Sequence, residues 1–456
     1  MAGNQNRIDL TVGSPLTGLL RFSLPLVAGT LFQQLYSFAD TVMVGRLVGE
    51  GALAAVGATY PLNFLILGFV QGLCVGFAIP LAQACGAKAP DDYRRFYWNG
   101  CWLCAAVGLC LTAATALTAS PLLRLLNTPA DVFADAAVYI RVIFWGIPAA
   151  LLYNFCSGAL RAAGDSRHPL YFLLFSSLLN IALDYLLLAA AGMGVRGAAL
   201  ATVLSQLVSG LLCLYWLAAR TDLLQHSAGL RGPQAACLRR LWRLGFPMGL
   251  EYSISALGAL AMQGALNLLG STAVAGQTAG EKIRQLFTLP MESVGMGMAT
   301  YAGQNEGAAR PDRIRAGIRA GLLLQWSYCA AAWLVLFAGK TVFTALVLGQ
   351  DGGAAAAYAV EYLTRISPWF FLHGALMIFR NTLQGMGYSV QAVLSGAGEL
   401  LGRGLGSLLT LYGLGFAGIC YANPLAWGLA MLYCAGMTAL YLGRRLRAAA
   451  LSGRPE

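Results

Sequence analysis

Asp40, Asn180, Asp184 and Thr202 place four oxygen-bearing side chains inside long apolar stretches of a 456-residue chain. Carboxylate, amide and hydroxyl oxygens with no thiolate among them are the donor set of a hard monovalent cation or of a proton. A charged side chain at the centre of a bilayer costs about 2.5–3.5 kcal/mol on insertion scales, so acids kept in such stretches are the first candidates for function. The alternative role is structural: Asp40 bonding locally, and Asn180 with Asp184 tying helices together. Asn180 precedes Asp184 by four residues, which puts both on one helix face.

The elements that carry them follow from composition. Hydrophobic residues make up 58% of the chain and charged ones 11%, against about 45–50% and about 25% in an ordinary soluble domain. Apolar runs of roughly 20 residues, enough to cross about 30 Å of hydrocarbon, recur at 16–44, 53–80, 97–118, 132–158, 169–190, 196–219, 241–268, 272–299, 316–337, 357–380, 388–412 and 418–442. In lipid such spans must be helices, because no water is present to satisfy the backbone. The expectation is an all-α polytopic membrane protein of twelve transmembrane helices. At about 1.5 Å rise per residue, Asp40 lies roughly 28 Å along the first span and Asp184 roughly 22 Å along the fifth, one level in the outer half of the membrane. Thr202, a turn or two down the sixth span, reaches the same level.

The chain also repeats itself. Gly86, Pro90 and Asp91 recur as Gly307, Pro311 and Asp312, an offset of 221 (307 − 86), and Gln83 recurs as Gln304. Gly192, Gly194 and Gly197 recur as Gly413, Gly415 and Gly418 at 221, and Tyr139, Leu160, Gly164 and Ser166 as Tyr362, Leu383, Gly387 and Ser389 at 223. Two parallel six-helix repeats are predicted: an N-lobe at 1–220, a cytoplasmic linker at 221–240, and a C-lobe with basic tail at 241–456. Alternating the loops places 21 of the 30 Lys and Arg on one side, Arg380 among them. Both termini are then cytoplasmic. The net charge of +11 is read as this topology, not as nucleic-acid binding.

The repeat does not extend to the acids. Met262 stands opposite Asp40 at offset 222. The second half instead carries Glu251, Glu281, Lys282, Arg284 and Glu292, and Glu399 with Arg403 as an intrahelical pair. Glu281, Lys282 and Arg284 either line a cavity or neutralise one another. Enzymatic motifs are missing. Gly339, Lys340 and Thr341 resemble a P-loop tail, but the required first glycine falls on Leu334. Cys101 and Cys104 form a CxxC on an apolar helix, read as packing. No cofactor is expected, and the chain is not an enzyme.

Pro25, Ala39 to Thr41, Val44 and Gly45, Gln83 with Gly86 and Ala87, their repeat Gln304 to Ala308, Leu160 to Ser166, and Asn180 with Asp184 together resemble the multidrug and toxic compound extrusion (MATE) family. The resemblance runs from about Leu16 to Leu442, and Lys282 to Leu286 through Pro290 is similar to bacterial drug-efflux members. It implies a two-lobe fold around a central cavity in the bacterial cytoplasmic membrane, exporting lipophilic organic cations by antiport with H⁺ or Na⁺ through alternating access. It also carries the family's first-lobe cation site onto Asp40, Asn180, Asp184 and Thr202. Some members hold a further acid on span 10, and Pro368 to Leu383 contains none. Tyr36, Tyr153, Phe155 and Phe287 are expected to line the substrate cavity beside Glu251, Glu281, Lys282 and Arg284. A monomer working on small molecules is expected. The alternative is a flippase or exporter of a lipid-linked precursor or peptide on the same scaffold.

Overall fold

The computed structural model describes residues 7–126, 128–349 and 353–451. Among these residues the chain forms twelve helical runs. The first six are α1 (Pro15–Leu47), α2 (Glu50–Gly86), α3 (Pro90–Leu125), α4 (Phe133–Trp145 then Ile147–Ala162), α5 (Arg167–Ala190) and α6 (Gly194–Arg220). The second six are α7 (Ala235–Asn267), α8 (Ser271–Gly307), α9 (Pro311–Leu348), α10 (Gly353–Ile366 then Phe370–Gly385), α11 (Ser389–Leu409, widening to Leu414) and α12 (Phe416–Leu451).

Not every run is apolar enough to read as a span alone. Seven are, or eight counting α4, whose halves bend by 44° at Gly146. Runs that fall short include α8 and α11, which carry Glu281, Lys282, Arg284 and Glu292, and Glu399 with Arg403. Their charges lower the mean apolarity and need partners inside the bundle.

The sequence repeat is written into the corners. Ala87 N–H bonds Gln83 O and Ala89 N–H bonds Ala84 O at the end of α2; Ala308 N–H bonds Gln304 O and Arg310 N–H bonds Asn305 O at the end of α8. In each corner a non-glycine turns left-handed, Lys88 at φ 53° and Ala309 at φ 55°. A proline, Pro90 or Pro311, then opens the next helix where its missing N–H costs nothing. Positive φ likewise recurs at Gly164 and Gly387, at 89° and 88°. At Gly164 the requirement is also steric: a Cβ would stand 2.2 Å from Ile8 O.

The chain divides into two compact units, Met1–Asp9 with Ala28–Tyr252 and Leu10–Val27 with Ser253–Glu456. One division precedes α1, between Asp9 and Leu10, and the other two fall inside α1 and α7, a few residues after Pro25 and Pro247, and not at the linker. In unit 1 the core gathers Phe77, Tyr93, Tyr97, Phe144 and Phe155. Linker residues lie on α3: Arg94 bonds Leu223 O, and Gln234 N–H bonds Asn99 Oδ1. In unit 2 the core gathers Leu336, Tyr362, Phe370, Leu376 and Ile419. There α11 lies on α12 backbone to glycine: a Cβ on Gly402 or Gly406 would meet Ala426 Cα at 2.3 Å or Ala422 Cα at 2.4 Å. Small residues four apart let helices approach closely where lipid supplies no hydrophobic drive between them.

Candidate functional site

In unit 1, α1 contributes Tyr36 and Asp40, α5 contributes Asn180 and Asp184, and α6 contributes Thr202. Asp184 ends the regular part of α5, which continues in wide π-type turns from Tyr185 to Ala190; such widening recurs at functional positions. Asp184 and Asn180 are buried, while Asp40 is half-buried. The Asp40 carboxyl comes within hydrogen-bonding reach of Asp184. In the orientation that satisfies both its ends, the Asn180 amide donates to Asp184 Oδ2 at 3.3 Å and accepts the Thr202 N–H at 3.2 Å. Thr202 Oγ1 donates to Ala198 O at 3.1 Å, which leaves its lone pairs open. One oxygen of each acid, Oδ1 of Asp40 and Oδ1 of Asp184, is buried without a hydrogen-bond partner. The four residues singled out from the sequence thus meet in one place.

Two carboxyls in contact with an orphaned oxygen apiece form a strongly anionic point in a water-poor bundle. A proton or a small cation between them removes the repulsion. Tyr36 and Tyr139 stand close enough for their phenols to feel both acids. Tyr139 was not foreseen here, although its repeat mate was a signal. Tyr362, 223 positions on, donates from its hydroxyl to Glu281 Oε2 at 2.5 Å.

Unit 2 has replaced the site. At offset 222 (402 − 180, 406 − 184), Asn180 and Asp184 fall on Gly402 and Gly406, the glycines on which α12 rests. Its polar groups instead form a paired chain. Arg284 Nη2 donates to Glu281 Oε1 at 2.5 Å, and its Nη1 to Thr288 Oγ1 at 3.3 Å. Asn423 Nδ2 donates to the Tyr362 hydroxyl at 3.5 Å, and Arg403 Nε to Asn423 Oδ1 at 3.2 Å. Arg403 Nη2 reaches Glu399 Oε2 at 3.3 Å, the expected intrahelical pair. Arg380 completes the set by pairing with the other oxygen of Glu399 and donating to Ser395 Oγ at 3.1 Å. Counting Arg380 among the cytoplasmic charges is therefore corrected: α10 continues to Gly385, and Arg380 is buried within it.

The other sequence candidates separate. Phe155 is in the core of unit 1, stacked on Tyr97 at 5.4 Å and edge-on to Phe77 at 6.3 Å. Tyr153 and Glu251 are half-buried, and Lys282 is exposed. Phe287 packs on Phe343 at 5.6 Å, and its carbonyl accepts the Tyr328 hydroxyl. Cys101 and Cys104 are free thiols among eleven free cysteines.

A duplicated all-helical membrane transporter fold, with an acidic site in one repeat and arginine-neutralised glutamates in the other, is the class these features define. The MatE family model matches residues 25–186 and again 247–398, so the same unit is recognised twice, 222 positions apart (247 − 25). The chain belongs to the MatE family, a family of transporters. It is 29% identical over 390 residues to the probable multidrug resistance protein YpnP of Bacillus subtilis, covering 85% of this chain and 86% of that protein. To the probable multidrug resistance protein NorM of Pseudomonas putida it is 28% identical, covering 96% of each. It is 26% identical to a FAD transporter of Shewanella oneidensis, covering 65% of this chain and 66% of that one. Among solved structures, a MATE protein in complex with MaL6 superposes with a TM-score of 0.91 at 22% identity, covering 98% of this chain and all of that one. The twelve-helix, two-repeat MATE fold is therefore the fold of this protein.

Proposed function

We propose that this chain is a secondary active exporter of lipophilic organic cations, driven by inward movement of H⁺ or Na⁺ bound at Asp40, Asp184, Asn180 and Thr202. The observation that carries the reading is the contact of Asp40 with Asp184 beside orphaned carboxylate oxygens. Both acids are stable together only with a proton or cation between them, so loading and unloading that position alters how α1 rests on α5. A carrier needs such differential affinity between its states. One positive charge moving inward gains about 2.3 kcal/mol per 100 mV, enough for an uphill gradient of roughly fiftyfold. The relatives named as multidrug resistance proteins support drug-like small molecules as substrates. In this reading the protein sits in a bacterial cytoplasmic membrane with both termini inside.

A flippase for lipid-linked pyrophosphates would need cationic groups left for its ligand. Arg284, Arg380 and Arg403 are each engaged by a glutamate, which speaks against that alternative. The test is efflux of ethidium from proteoliposomes by Asp40→Asn and Asp184→Asn variants reconstituted at equal levels. Coupled efflux is expected to be lost in both, and undiminished efflux by Asp40→Asn would sink the site assignment.

A further inference from the structure

A face of α3 that the linker covers in unit 1 is bare on α9 in unit 2. In unit 1 the Asp222 and Leu223 carbonyls accept from Arg94, Arg231 O accepts the Trp102 Nε1–H at 2.9 Å, and Gln234 N–H bonds Asn99 Oδ1. The Arg231 guanidinium also rests on Trp98, 5.0 Å from the ring centroid. At the repeat offset of 221, Arg94, Trp98, Asn99 and Trp102 fall on Arg315, Arg319, Ala320 and Leu323 (315 − 94, 319 − 98, 320 − 99, 323 − 102). Arg315, Arg319 and Leu323 are exposed. The other arginines at this end of α9 are engaged. Arg310 pairs with Asp312 at 2.7 Å, and Arg313 donates to Asn305 Oδ1 and to the Val12 and Gly13 carbonyls. Among the described residues no carboxylate is in ion-pair contact with Arg315 or Arg319.

The segment that follows the twelfth run supplies no acidic cover. Residues 442–451 continue α12 as helix and carry Arg444, Arg445 and Arg447 without an acid, and like charge keeps them off Arg315 and Arg319. Arg315, Arg319, Leu323 and Trp326 are spaced four, four and three apart (319 − 315, 323 − 319, 326 − 323), so they form one stripe along α9. Leu323 is 58% and Trp326 46% exposed, and the Trp326 N–H is satisfied by Phe371 O at 3.3 Å. Exposed apolar side chains on a spanning helix face lipid, and tryptophan favours the level of the headgroups. Arg319 stands about 6 Å along the helix from Leu323 and about 10 Å from Trp326. Two guanidiniums one turn apart, beside apolar side chains open to lipid, match the parts of a phospholipid. Guanidinium holds phosphate through paired N–H donors.

We propose that Arg315 and Arg319 form a docking site for an anionic phospholipid, with its phosphate between the two guanidiniums and its chains along Leu323 and Trp326. Net charge decides the class of lipid. A zwitterionic headgroup brings its own cation to the arginines, whereas a phosphatidylglycerol headgroup brings none. An arginine at an anionic membrane surface strengthens attachment about fivefold, and two strengthen it about twenty-fivefold. The linker fills in unit 1 the position that lipid fills in unit 2. The site needs neither the antiporter reading nor a particular coupling ion.

The test places the full-length protein in phosphatidylcholine vesicles that contain a minor fraction of chain-brominated phosphatidylglycerol, or of chain-brominated phosphatidylcholine as reference. Bromine quenches tryptophan on contact, and the Trp326 signal is the fluorescence difference between each protein and its Trp326→Phe form. In wild type, phosphatidylglycerol is expected to associate at Trp326 about twenty-fivefold more strongly than phosphatidylcholine, and in the Arg315→Gln, Arg319→Gln double variant about equally. Arg315→Lys with Arg319→Lys keeps both charges and should keep a clear preference, which shows that the helix tolerates replacement at these positions. Arg444→Gln with Arg447→Gln on α12 should leave the preference as in wild type. Equal preference in wild type and in the glutamine variant of α9 overturns the proposal. So does a loss in the α12 variant as large as that in the α9 variant, which assigns the effect to the general charge of this surface.

Discussion

Replacing Glu399 with Gln removes the charge that holds two arginines inside unit 2. Glu399 is 5% exposed, and its carboxylate is shared by Arg380 and Arg403, whose side chains are 8% and 14% exposed. Breaking a buried ion pair by deleting one partner costs about 3–5 kcal/mol, because the other charge stays buried without compensation. Glutamine keeps one acceptor oxygen, which recovers roughly 1 kcal/mol. Arg403 keeps Asn423 and Arg380 keeps Ser395. Glu399→Gln should therefore lose about 3 kcal/mol and Glu399→Leu about 5 kcal/mol. Adding Arg380→Met to Glu399→Leu removes one stranded cation and should restore at least half of that loss. Equilibrium unfolding in mixed detergent micelles reads these differences, with ethidium efflux measured per folded molecule. A Glu399→Gln protein within about 0.5 kcal/mol of wild type, the range of an ordinary surface change, would refute the reasoning. So would an Arg380→Met, Glu399→Leu double variant no more stable than Glu399→Leu.

Three further outcomes are expected. Asn180→Leu leaves Asp184 Oδ2 and the Thr202 N–H without their partner. At about 1.5–3 kcal/mol for a hydrogen bond to a charged group, the coupling cation should be held tenfold or more weakly, read from the cation dependence of ethidium efflux. Gly164→Ala sets a Cβ against Ile8 O at φ 89°, so the Ile8 N–H to Gly164 O bond should open and the Ile8 amide exchange faster than in wild type. The third concerns pH. Burial works to raise the Asp222 carboxyl, but the Arg7 guanidinium at 2.8 Å outweighs it and holds the group below the usual carboxylate range. Its contribution is complete above the unfolded carboxyl pKa and fades as pH falls through the folded one. Ile8 protection, normalised to intrinsic exchange, should drop at acid pH in wild type and lose that dependence in Asp222→Asn.

Much of the scaffold was legible because lipid leaves few solutions: apolar runs of spanning length become helices, and a repeat at offsets 221 to 223 must fold twice. The corner at Lys88 and its copy at Ala309, matching to 2° in φ (55 − 53), shows how faithfully. Asp40, Asn180, Asp184 and Thr202 could be brought together because helix rise fixes depth and a four-residue spacing fixes face. What escaped was set by rotation about helix axes, which an all-apolar run does not reveal. Phe155 on the same helix as Tyr153 turned into the core. Arg380 looked like a cytoplasmic flank, and only the position of α11 reveals that Glu399 receives it. Gly402 and Gly406 stand where unit 1 carries its amide and acid, and their function in packing α12 depends on Ala426, 24 residues from Gly402 (426 − 402), and Ala422, 16 residues from Gly406 (422 − 406).

The central claim is that a cation gradient acting on the Asp40–Asp184 site drives drug export. It is tested most directly by ethidium efflux in proteoliposomes, imposing a Na⁺ gradient and a pH gradient separately on wild type and Asp40→Asn. The account predicts efflux under at least one gradient in wild type and none above leak in the variant. Efflux indifferent to both gradients, or equal in the two proteins, would contradict it.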